Sequence, residues 1–107
     1  MATLIVSFDI QWDDDSAEYN RIWKALNEAI RDGLAAHQWW GETTSFYVVN
    51  STEDARPFAV RVWGTAKMRK AKDRLVVLDA NVKAGVAIGK IQDQTIFSLL
   101  PFLANVP

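Results

Sequence analysis

Asp9 carries the strongest chemical signal in this chain of 107 residues. It closes the apolar run Leu4-Ile5-Val6-Ser7-Phe8, which reads as a strand buried on both faces. Ionised carboxylates are rarely buried unless they are paired or bound to a cation, so Asp9 lies at an edge or has a task. The sharp reading is one half of a magnesium or manganese site. Hard cations take oxygen ligands and can activate water or neutralise a phosphate during in-line attack. The plainer reading is a carboxylate that accepts backbone amides at a strand end or caps the following turn.

Other groups carry weaker signals. Asp13-Asp14-Asp15 lacks the glycine and distal glutamate of an EF-hand loop and suits the acidic entry to a helix. His37, the one histidine, has the right titration range for a general base, but no serine or carboxylate is tied to it by spacing. Gly85-x-x-x-Gly89 lacks the lysine-serine pair of a phosphate loop. The run Arg56, Arg61, Lys67, Arg69, Lys70, Lys72, Arg74 is interrupted by one acid, Asp73. If Lys67, Arg69, Lys70 and Lys72 converge on one face they can track the phosphates of RNA or DNA; distributed around a helix they are a solvated surface. Five tryptophans stand at 12, 23, 39, 40 and 63. Exposed, they suit base stacking, but Trp23 falls on a buried helical stripe and the Trp39-Trp40 pair alternates faces.

The elements that must hold these residues follow from periodicity. A first strand spans Thr3 to Ile10. A helix starts at Asp15 or Ser16, with Glu18 at the capping-box position, carries the stripe Tyr19, Ile22, Trp23, Leu26, Ile30 and stops at Gly33. Residues 36 to 50 read as an antiparallel hairpin turning near Gly41-Glu42. A second helix follows a cap at Thr52 or Asp54, with Ala55, Phe58, Ala59, Val62, Trp63 and Ala66 inward. Leu75-Val76-Val77-Leu78 is an interior strand. This β-α-β-β-α-β order predicts an α+β, ferredoxin-like antiparallel sheet in the order 4-1-3-2 with two helices on one face. Leu4, Val6, Phe8, Ile22, Leu26, Phe46, Val48, Val62 and Val77 are the expected core. Residues 82 to 91 read as a loop or loosely held strand, and Asp93 as the cap of a short apolar helix that Pro101 kinks or ends.

Half of the residues are apolar, so one domain over 1–107 is expected, with a core at about 3–80 and an extension over 81–107. The absence of cysteine removes disulfides and thiolate chemistry. No run reaches the roughly 18 to 20 apolar residues of a membrane helix, so a soluble cytoplasmic protein is expected, with no membrane partner. Residues 1–54 hold three basic and ten acidic side chains, and residues 55–107 nine and three, net −7 against +6. Such asymmetry suits self-association, or a basic surface for an anionic partner.

The Leu-Ile-Val-Ser-Phe-Asp-Ile start, the helix opening Tyr19-Asn-Arg-Ile-Trp-Lys-Ala-Leu, the pair Trp39-Trp40 before Ser45-Phe46-Tyr47-Val48-Val49, and Asp73-Arg-Leu-Val-Val-Leu resemble the SinR-like family of small ferredoxin-like proteins. That family is similar to virulence-associated protein D and to the small CRISPR-associated endoribonuclease. The resemblance covers residues 3 to 80. It implies a homodimer in which Asp9 faces its twin across the two-fold axis, a pair that binds a divalent metal, magnesium or manganese, in nuclease members. Asp9 is the catalytic and metal-binding residue it carries over, with Ser45 as a weaker catalytic neighbour. Two functions follow as expectations: a non-catalytic, dimeric association module with a protein partner, or a metal-dependent nuclease acting on RNA or DNA.

Overall fold

The computed structural model describes residues 1–107 as an α+β domain built on one mixed sheet of six strands. In chain order the elements are β1 (Ala2–Asp9), α1 (Ser16–Arg31), a 3-10 turn (Ala36–Gln38), β2 (Trp39–Trp40), β3 (Phe46–Ser51), α2 (Ala55–Ala66), β4 (Arg74–Asp79), β5 (Gly85–Gly89), α3 (Thr95–Leu99) and β6 (Leu103–Val106). The sheet order is β2-β3-β1-β4-β5-β6. Every pairing is antiparallel except β5 with β6. No helix is long and apolar enough to cross a membrane.

The local signals act as their chemistry requires. The Asp15 carboxylate accepts the Glu18 amide at 3.0 Å and caps α1. Glu18 does not reach back to complete a capping box; its carboxylate pairs with Arg21 at 2.7 Å. Pro57 is accommodated in the first turn of α2, where amide donors lack intrahelical partners. That helix ends with Lys67 in the left-handed conformation, φ 51°. Both helices bury their apolar stripes in one cluster with Leu4, Val6, Phe8, Val49, Leu75, Val77, Val86 and Ile88, so they cover the same sheet face.

The structure departs from expectation in four places. The sheet has six strands rather than four, because residues 85–89 and 103–106 continue it beyond β4. Gly85 to Ile88 are buried, so this segment is not a loose loop. Gly89 has φ +101°, and a side chain there would collide with the Asp73 carbonyl, which explains a glycine that sequence alone assigns to a loop. Second, β1 is buried on one face, not two: Thr3 and Ile5 are half-buried, and Ser7 and Asp9 are exposed. Third, the inward positions of β3 are Tyr47 and Val49, while Phe46 and Val48 face the other side. Fourth, Trp23 is 40% exposed, at the margin of the α1 stripe.

Because β5 and β6 pair in parallel, the segment between them, which holds α3, returns the chain to the end of the sheet where β5 began. Ala87 and Leu103 are buried although they lie outside the main cluster. The second face is therefore covered at β5 and β6. It stays open over β1, β3 and β4.

Candidate functional site

Asp9 is the last residue of β1 and pairs in register with Arg74, the first residue of β4. Directly opposed residues share a face, so both side chains stand at one end of the open surface. The Asp9 side chain is 63% exposed, and its Oδ2 lies 3.8 Å from Arg74 Nε, an ion pair too long for a hydrogen bond. Arg74 Nε is buried without a hydrogen-bond partner. The expectation of a carboxylate sunk in an apolar strand is thus corrected: the helices cover one face only, and Asp9 falls on the other.

Beside these charges lies an apolar surface. Ile5, Phe46, Val48, Val76 and Leu78 are half-buried, and Trp40 is 43% exposed, with its ring edge-on to Phe46 at 6.3 Å. Thr3, Ser7 and Asn50 interrupt it with polar groups.

Ser45 makes no hydrogen bond to the Asp9 carboxylate. It has φ 59°, its carbonyl accepts the Phe8 amide at 3.2 Å, and it lines a cavity on the helix side with Trp23 and Tyr47. His37 is exposed in the 3-10 turn. No group of three His, Asp or Glu side chains gathers anywhere in the chain to hold a metal. A divalent cation on Asp9 would have one carboxylate from this chain and the Arg74 guanidinium beside it, so the residues of one copy do not fit magnesium or manganese.

The basic run does not form one surface. Arg69 and Lys72 turn inward to acids that hold two loops together. Asp73, with no exposed side-chain area, accepts Arg69 Nε at 3.0 Å, Arg69 Nη2 at 2.9 Å, the Arg69 amide at 2.8 Å and the Gln11 amide at 3.0 Å. Arg69 also meets Asp13 at 3.2 Å, and Lys72 donates to Asp13 at 2.6 Å. Burial pushes the Asp73 carboxyl up, but the hydrogen bonds from Arg69 and Gln11 outweigh it and hold the group below its ordinary value. The Lys72 hydrogen bond lowers Asp13 in the same way. Lys67 and Lys70 alone of the four expected phosphate contacts are exposed without such partners. Asp13 is therefore a structural anchor, which the reading of an acidic helix entry missed. The nearby acid Asp73 inside a basic run was the available signal.

Comparison with protein-family models, with curated proteins and with solved structures gives no match.

Proposed function

We propose that this chain is a SinR-like, ferredoxin-like association module that works as a homodimer through the open face of its sheet. The observation that carries the reading is the surface of Ile5, Trp40, Phe46, Val48, Val76 and Leu78, apolar and only half-buried in a single copy, with Trp40 exposed. Patches of this kind in small domains mark protein contacts. The occupant is a second copy, because the surface has both signs of charge at one end. Under two-fold symmetry the Asp9 of each copy is set to meet the partner's Arg74, the reciprocal contact an isologous interface requires. The arrangement of β1 to β4, with β1 between β3 and β4 and two helices on one face, supports the ferredoxin-like part of the reading.

Metal-dependent cleavage of RNA or DNA is the rival use of the same face, and the cation beside Asp9 disfavours it. Light scattering of the purified protein, and of Val48→Glu, tests the association. A dimer that the substitution converts to a folded monomer is expected; a monomeric parent protein refutes the reading. Incubation with labelled RNA and DNA in magnesium, in manganese and in chelator is expected to show no cleavage. Metal-dependent cleavage abolished by Asp9→Asn would establish the nuclease instead.

A further inference from the structure

Beneath the β2–β3 hairpin, on the helix side of the sheet, lies a cavity of about 200 Å³ whose lining is polar apart from its aromatic rings. Its floor is Asn27 and Tyr47, only 4% and 7% exposed. The Tyr47 hydroxyl donates to Asn27 Oδ1, and Asn27 Nδ2 donates to the Trp23 carbonyl at 2.7 Å. An amide nitrogen has two N–H groups and a phenol oxygen keeps its lone pairs after donating, so the floor retains a buried donor and a buried acceptor. Trp23, one turn before Asn27 on α1, forms an aromatic wall, and Glu42, Thr43 and Thr44 of the hairpin loop close the other side.

We propose that this cavity binds a neutral polyol of pyranose size. No lysine, arginine or histidine lines it, which removes anions. The Tyr47 ring already packs on Phe8 and Trp39, at 6.5 and 5.9 Å, so Trp23 is the one ring left for a ligand, and the hydrogen-bonding groups on the floor suit a hydroxylated ligand better than an organic cation. A sugar matches the whole set. Its C–H face lies on the indole, its hydroxyls exchange hydrogen bonds with Asn27, Tyr47 and the two threonines, and a vicinal diol donates to the Glu42 carboxylate.

Nuclear magnetic resonance titration of the full chain with D-glucose, D-galactose and N-acetyl-D-glucosamine, and separately with tetramethylammonium, tests the site. At least one sugar is expected to shift the Trp23 indole and the Gly41, Thr43 and Thr44 amides saturably in the millimolar range. Trp23→Ala should abolish the response, and Glu42→Gln, on an exposed loop and neutral to folding, should weaken it about tenfold by removing a charge-assisted acceptor. Unsaturating or absent shifts with all three sugars overturn the proposal. So does a stronger response to tetramethylammonium, or sugar affinity unchanged by Glu42→Gln.

Discussion

Arg69 grips Asp73 through one edge of its guanidinium in a two-point contact, Nε at 3.0 Å and Nη2 at 2.9 Å, and in doing so ties the exit of α2 to the start of β4. The same guanidinium reaches Asp13 and the Gln11 carbonyl, so one side chain joins two loops more than fifty positions apart in sequence.

Breaking this clamp from either side leaves a buried group without its partner. Asp73→Ala and Arg69→Met should each lower stability by about 3–5 kcal/mol. Lys67→Glu and Lys70→Glu, at exposed positions, should change it by less than about 0.5 kcal/mol. Urea denaturation of the four variants checks the contrast. Equal losses in all four would mean the clamp is not structural.

The clamp also sets an acid limit. Asp73 and Asp13 are held below the ordinary carboxylate value of 3.8, so their contribution is complete above that pH and is lost as pH falls through the depressed folded values. Stability measured by denaturation should be level towards neutrality and drop steeply below about pH 4. In Asp73→Asn that drop should be shallower.

Charge reversal probes the dimer independently of its apolar contacts. Asp9→Arg alone and Arg74→Asp alone set like charges against each other across the proposed two-fold axis and should weaken association; the double exchange should restore it. Analytical ultracentrifugation over a dilution series reads the three dissociation constants. A double exchange as weak as the sum of the singles places the two residues out of contact.

Tyr47→Phe should cost about 1–3 kcal/mol, because the buried Asn27 carbonyl oxygen loses its donor while the ring packing is kept. Thermal denaturation measures it. Gly89→Ala should be at least as damaging, since it forces a side chain onto φ +101° and against the Asp73 carbonyl.

What the sequence by itself determined is local. Asp15 as a helix cap, the inward stripe of α2 and the strand character of residues 75–78 are legible because each depends on neighbours a few positions away. Asp9 is legible as an acid at the end of a strand, but its exposure is not, since nothing in residues 4–10 reveals that helices cover one face only. The tertiary structure decided the face of β3. Phe46-Tyr47-Val48-Val49 is apolar on both sides, so alternation leaves the register open until the Tyr47 hydroxyl finds Asn27 on α1. It also decided that β5 and β6 extend the sheet, which glycines at both ends of β5 conceal, and that Arg69 and Lys72 serve Asp73 and Asp13 rather than a ligand. These outcomes turn on pairings between distant segments, whose partners no local pattern specifies.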